Sequence, residues 1–226
     1  MESCSNNLVS VVIPTLNEEL TIGNLLADLS GSKEVMEIIV VDGGSEDRTR
    51  QVVSTYPGVK LIRSAPGRAV QLNAGAKETK GGYLWFLHAD TRIDFNVLCH
   101  LLAEIRKSDS SGSCFLKFDK RGFWYKLYSG ISKINWSIFT YGDQGIFIKR
   151  NHFMQLGGYR HIPIMEDIDF VRRAKKKFTF KKLNIPIVTS ARRFEQNGVV
   201  WQELKNIFLV LLYLLGTSPF FLKRFY

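Results

Sequence analysis

The acidic side chains of this 226-residue chain are placed where they could do chemistry. Asp42 closes the run MEIIVVD, Asp90 follows WFLHA, and Glu166, Asp167 and Asp169 crowd into MEDIDF. Thr15, Asn17 and Glu18 follow the apolar run LVSVVI. Carboxylates from distant segments suit a site that holds a hard divalent cation through oxygen ligands. They equally suit one that takes a proton from a substrate hydroxyl. A single such acid is ordinarily a helix cap or a solvated loop residue. Several at the ends of separate apolar runs are a functional signal.

Other chemistries lack their residues. No GxGxxG follows the first apolar run, and no GxxxxGK[ST] occurs, which excludes the Rossmann dinucleotide and P-loop sites. No serine stands in a GxSxG elbow. His88, His100, His152 and His161 lack zinc-ligand spacing. Cys4, Cys99 and Cys114 are odd in number and form no CxxC, which points to reduced thiols. The segment MESCSNN carries an acid, no basic residue and no apolar run, so no secretory signal and a cytoplasmic location are expected.

The elements that must position the acids can be read from periodicity. LVSVVI (8–13), MEIIVVD (36–42), VKLI (59–62) and YLWFLH (83–88) read as buried strands. Leu20, Ile22, Leu25, Leu26 and Leu29 recur at near-helical spacing, Ser45-Glu46-Asp47 opens a second helix, and residues 67–79 form a third. Apolar strands alternating with helices predict an α/β fold with a parallel sheet covered on both faces. Ligands of such sheets bind beyond the carboxyl ends of the strands, where Thr15, Glu18, Asp42, His88 and Asp90 fall. The second half is less regular. FWYKLYSGISKINWSIF (123–139) interleaves aromatics with lysines, QGIFIKR (144–150) reads as a strand, and EDIDFVRRAKKK (166–177) as a helix with acids in its first turn. WQELKNIFLVLLYLL (201–215) is a strongly apolar helix.

A hydrophobic fraction of 45% and a charged fraction of 23% are those of a globular chain, and one domain over 1–226 is expected. The net charge of +10 is unevenly placed. Residues 1–110 hold 11 Lys and Arg against 14 Asp and Glu, a balance of −3; residues 111–226 hold 20 against 7, a balance of +13. Anionic partners are favoured on that second side. Nucleic acid is not expected among them, since no reading motif accompanies the charge.

The segments VSVVIPTLNEE, IIVVDGGSEDRT, FLHADT and MEDIDFVRR, in this order, resemble the motifs of family 2 glycosyltransferases with a GT-A fold. APGRAVQLNAGA, GDQGIFIKR, GGYRHIPIMED and SARRFEQNGV extend the likeness to a compact bacterial subgroup, some of whose members are described as carotenoid-acid glucosyltransferases. The resemblance implies a Rossmann-like, mostly parallel sheet flanked by helices. It implies residues 1–110 as the half that binds a nucleotide-diphosphate sugar, and 111–226, with its apolar helix 199–215, as the acceptor half. It also implies inverting transfer to an acceptor hydroxyl or carboxyl, a lipid or isoprenoid acceptor included.

Roles follow residue by residue. Thr15 and Glu18 stand where the family contacts the nucleotide, and Asp42 where it contacts the base or ribose. Asp90 matches the last acid of the DxD-type motif that ligates Mg²⁺ or Mn²⁺. His88 stands where that motif has its first acid; imidazole suits Mn²⁺ better than Mg²⁺, and a strand-end histidine packed near the phosphates is the other reading. Glu166-Asp167 match the pair supplying the catalytic base, Asp167 as base and Glu166 orienting it or binding the acceptor. Asp169 is expected to be a solvated or structural acid.

Arg68 and Gln71 lie three apart on one helical face, with Asn73 nearby; Arg68 is expected at a phosphate or stacked on the base. Asp143 and Gln144 are expected under the acceptor, or in a simple turn with Gly142. RRAKKKFTFKK (172–182) is either a solvated helix face with an edge strand guarded by lysines, or a surface for anionic membrane. The apolar C-terminal helix is too short to span a bilayer. It either closes the core or lies in a membrane interface, which would place the chain peripherally on the inner face of the plasma membrane. A nucleotidyltransferase and a catalytically silent nucleotide-binding protein at a membrane surface are the rival readings.

Overall fold

The structure, a computed structural model, describes residues 8–33, 35–107, 111–191 and 199–225. Cys4 and most of SARRFEQNGV lie outside the described residues. Four strands and their intervening helices build the first half: β1 (Val9–Thr15), α1 (Ile22–Leu29), β2 (Val35–Asp42), α2 (Thr49–Ser54), β3 (Val59–Arg63), α3 (Arg68–Lys77), β4 (Tyr83–Phe86) and α4 (Phe95–Lys107). The rest comprises β5 (Ser111–Phe118), α5 (Phe123–Ile131), 3-10 turns at Ser137–Phe139 and Gly142–Gln144, β6 (Ile146–Lys149), α6 (Arg150–Gln155), α7 (Glu166–Lys177), β7 (Phe180–Thr189), α8 (Val199–Leu214) and α9 (Pro219–Leu222).

One seven-stranded sheet runs in the order β3-β2-β1-β4-β6-β5-β7. The first four strands are parallel, as the alternation of strand and helix predicts. The second half departs from it. β6 pairs antiparallel with both β4 and β5, and β5 is parallel to β7. The sheet is therefore mixed, and β6 reverses direction beside the carboxyl end of β4.

The central strands are apolar throughout because both faces are covered. Val11 and Ile13 pack toward α1 and α4, while Val12 joins Ile39 and Val41 under α3 and α7. α3 sits close on the sheet at Gly75, where a Cβ would fall 2.4 Å from Val12 Cγ1 and 2.9 Å from Val41 Cγ2. Only glycine permits that approach, and it sets the height of Arg68 and Gln71 above the strands.

α8 does not close the main core. Leu209 and Val210 are buried, and Leu209 packs with Leu222 of α9 on Ile164. Trp201, Leu204, Phe208, Leu211 and Leu215, spaced as one helical stripe, are exposed. No helix among the described residues is long and apolar enough to cross a membrane.

Candidate active site

The carboxyl ends of β1 and β2 finish side by side, with Thr15 opposite Asp42. Gln71 on α3 locks them together: its Nε2 donates to Thr15 O and to Val41 O, each at 2.8 Å. Gly43 N–H donates to Thr15 O at 2.9 Å. The next two loops are laced to each other. Asn17, in the left-handed region at φ 56°, donates its N–H to Ser45 Oγ (3.0 Å) and accepts the Glu46 N–H on Oδ1 (2.9 Å). Glu18 N–H reaches Thr49 Oγ1 at 2.8 Å. Ser45 therefore serves the neighbouring loop instead of opening a helix. α2 begins at Thr49, whose N–H and hydroxyl both go to Asp47 Oδ1.

These bonds change the standing of several expected substrate contacts. Asp42 is fully enclosed, and its carboxylate accepts the N–H groups of Gly44 and Ser45 at 3.2 Å. Thr15 is buried with its hydroxyl on Val41 O at 3.3 Å. Half-buried Glu18 accepts the Thr21 hydroxyl at 2.8 Å. Asn73 makes a two-way bond with the Tyr159 backbone, at 2.8 and 2.9 Å. The polar groups of Asp42, Thr15, Gln71 and Asn73 are thus engaged within the fold, the first two at the packed ends of β2 and β1 and the others inside α3.

His88, Asp90, Arg68, Asp143, Glu166 and Asp167 gather in one acid-rich cluster. His88 and Asp90 stand half-buried just past β4. Gly142 lies between the two halves: a Cβ there would be 3.0 Å from His88 Nε2 and 3.6 Å from Asp167 Oδ2. Its N–H donates to Asp167 Oδ2 at 2.8 Å, and Asp167 Oδ1 accepts the Ile168 N–H at 2.7 Å. Beside it, Glu166 Oε1 meets Arg68 Nη1 at 3.3 Å.

Electrostatics shows how tightly these acids are grouped. Burial pushes the Glu166 carboxyl up to about 7, with the Arg68 cation opposing the rise and Asp167 adding to it. Asp143 is lifted to about 7, first by burial and then by the charges of Asp167 and Asp90, against the pull of Arg68 and Lys182. Asp143 Oδ1 is shut off from solvent and bonded to nothing among the described residues. Asp90, Asp143, Glu166 and Asp167 thus share one field with Arg68 and Lys182. Gln144, expected beside Asp143, is fully buried, donating to Phe139 O at 2.7 Å and accepting from Lys182 Nζ.

Asp169 is the structural alternative of its two readings: it is buried between Arg160 (3.1 Å) and Arg173 (2.7 Å). Its neighbour Met165, the residue preceding α7, sits at φ 64°, unusual for a non-glycine side chain. Ile164 and the α8–α9 pair pack against that position. Two residues of the site escape sequence reading. Lys182 hides in a basic run that looks like a guarded edge strand, and Gly142 looks like any turn glycine. Lys181 is exposed as an edge-strand lysine should be, whereas Lys182 points inward.

The residues present fit a divalent cation of the Mg²⁺ or Mn²⁺ type. Among the described residues no three Asp, Glu, His or Cys side chains form a ready cage. Such ions keep waters and substrate oxygens, so Asp90, with His88 for Mn²⁺, is a sufficient protein share. The unbonded Asp143 oxygen close by adds the negative potential that favours a cation.

Solved structures define the fold class. The chain superposes on Staphylococcus aureus TarS (residues 1–349, in complex with UDP) with a TM-score of 0.68 at 21% identity, covering 91% of this chain and 65% of that one. It matches Mycobacterium tuberculosis glucosyl-3-phosphoglycerate synthase, in complex with Mn²⁺, UDP-glucose and phosphoglyceric acid, with a TM-score of 0.67 at 18% identity, covering 91% and 79%. The fold is that of the GT-A glycosyltransferases. The sequence profile described as "Glycosyl transferase family 2" matches residues 10–163, and the chain belongs to that family. Among curated relatives, a probable glycosyltransferase of Bacillus subtilis, YdaM, is 26% identical over 192 residues, 73% of this chain and 46% of that one. The dolichyl-phosphate beta-glucosyltransferase ALG5A of Trichomonas vaginalis is 32% identical over 108 residues, 40% and 33%. The chain spans less than half the length of these relatives.

Proposed function

We propose that the chain is an inverting glycosyltransferase taking its sugar from a nucleotide-diphosphate donor. The observation that carries this reading is the convergence of Asp90, Asp143, Glu166 and Asp167, facing Arg68, beside the carboxyl end of β4. Residues 1–110 form the donor side, its floor set by Thr15, Asp42 and Gln71, with Glu18 at the rim. Arg68 faces the donor phosphates. Asp90 and His88 would hold Mg²⁺ or Mn²⁺, whose chemistry there is neutralisation of charge on the leaving diphosphate.

Asp167 is the base. With each oxygen already accepting one backbone N–H, the carboxylate is fixed in orientation and keeps lone pairs for substrate. It takes the acceptor hydroxyl proton as the acceptor oxygen bonds the anomeric carbon; the bond from that carbon to the diphosphate breaks and its electron pair leaves on the phosphate oxygen. Such a base contributes roughly 10²–10⁴-fold. Glu166, held by Arg68, orients the acceptor, and Asp143 acts from beneath the site through its charge.

The acceptor in this reading is lipid-borne, an isoprenoid or carotenoid included, and the chain works peripherally at an anionic cytoplasmic membrane surface. The exposed stripe of α8, the exposed Phe220, Phe221 and Phe225, and the balance of +13 in residues 111–226 support that placement. One relative, ALG5A, is named a dolichyl-phosphate beta-glucosyltransferase.

The experiment is hydrolysis or transfer from a panel of UDP-, GDP- and dTDP-sugars with Mn²⁺, in wild type and Asp167→Asn. Turnover that Asp167→Asn abolishes while UDP still binds supports the enzyme. Nucleotide binding without turnover in wild type means a silent binder, and turnover unchanged in the variant removes Asp167 as base.

A further inference from the structure

In the basic run 172–182, the Lys182 ammonium meets three acceptors on neighbouring elements. Ser113 Oγ at 2.7 Å and Cys114 O at 3.3 Å, both on β5, take two of its hydrogens, and Gln144 Oε1 takes the third. Withdrawing an ammonium partly from water is costly unless its N–H groups are bonded, and in half-buried Lys182 each has an acceptor. Burial, with the nearby Lys175, lowers it to about 7. Cys114 and, more weakly, Asp143 oppose this.

What the ammonium holds is the 3-10 turn Gly142–Gln144. At its far end the turn is fixed by Gln144, whose Nε2 also donates to Phe139 O. At its near end Gly142 gives its N–H to Asp167 Oδ2. Gln144 and Gly142 are two residues apart in one tight turn, so a shift of the anchored end moves the donor at the other.

We propose that Lys182 is a positioning residue: by gripping Gln144 it holds the Gly142–Gln144 turn against the sheet, and so keeps the Gly142 N–H on the Asp167 carboxylate. Its value for catalysis rests on Asp167 being the base; its geometric part does not.

The test therefore has two arms on the full chain. In the first, the Gly142 backbone amide is followed by two-dimensional NMR. A bond to a carboxylate moves that proton downfield and protects it from exchange. Lys182→Met is expected to shift it upfield and speed its exchange; Gln144→Leu, which removes the same tie while leaving the amine its β5 partners, must do likewise. In the second arm, Lys182→Met lowers kcat about 10- to 100-fold through misplacement of the base, with the donor KM changed less than about twofold. The double variant then loses no more than either single one. An unmoved Gly142 amide in folded Lys182→Met or Gln144→Leu overturns the proposal, as does a kcat unchanged with only a lower melting temperature. If the wild type turns over no sugar nucleotide, the enzyme reading fails and the amide arm still decides the tie.

Discussion

Arg68, the first residue of α3, reaches across to Glu166, the first residue of α7 and 98 positions later, with 3.3 Å between Nη1 and Oε1. This contact joins the two halves of the chain over the cleft. Glu166 is buried and drawn up to about 7 by burial, and the guanidinium is what keeps it from rising further. Removing the cation should therefore cost stability in a pH-dependent way. A carboxyl whose folded value lies above its unfolded one favours the fold at low pH and loses that contribution as pH rises through the folded value. Arg68→Met raises the folded value again. The expected result is a loss of about 1–3 kcal/mol at pH 8, shrinking toward pH 5 where Glu166 is protonated in both proteins. Chemical denaturation at the two pH values measures it.

Asp143 obeys the same sign, with no ion pair of its own among the described residues. Its carboxyl stands near 7, and Oδ1 has no bond among the described residues. Asp143→Asn removes a charge that folding must bury, so its melting temperature should exceed that of wild type at pH 8. The gain should fade as pH drops through about 7, where the wild-type group already carries its proton. Equal melting temperatures at pH 8 would mean that the Asp143 charge is compensated.

Much of this cleft was legible in the sequence, for a physical reason. Strands buried on both faces leave continuous apolar runs, so β1, β2 and β4 and the acids beyond them stand out, and α7 begins where its acids do. β6 was read as a strand in QGIFIKR, but its antiparallel direction was not, because a four-residue apolar strand carries no sign of direction. Thr15 was legible as a strand-end residue and Gln71 as a helix residue, but neither as a tie to the backbone of β1 and β2, since hydrogen bonds across 26 to 56 positions leave no local pattern. Lys182 was hidden by its own neighbours. Composition marks a basic run as solvated, and only the register of β7 on β5 turns one of its lysines inward.

The outer stripe of α8 gives a separate prediction. Trp201 and Phe208 are among the most exposed large apolar side chains. If the chain sits on an anionic bilayer, sedimentation with phosphatidylserine-containing vesicles should be strong at low salt and weaken as salt rises. Trp201→Ser with Phe208→Ser should reduce it at every salt concentration, because the loss is apolar. Binding indifferent to both salt and the substitutions would remove the membrane from the account.

The central claim is that the cleft holds a nucleoside diphosphate together with a divalent cation at Asp90. Calorimetric titration of UDP with and without Mn²⁺, in wild type and Asp90→Ala, tests it most directly. The account predicts that Mn²⁺ tightens UDP binding to the wild type by tenfold or more, about 1.4 kcal/mol, and that Asp90→Ala erases this gain while binding without metal stays the same. An Mn²⁺ gain of equal size in the variant, or none in the wild type, would contradict it.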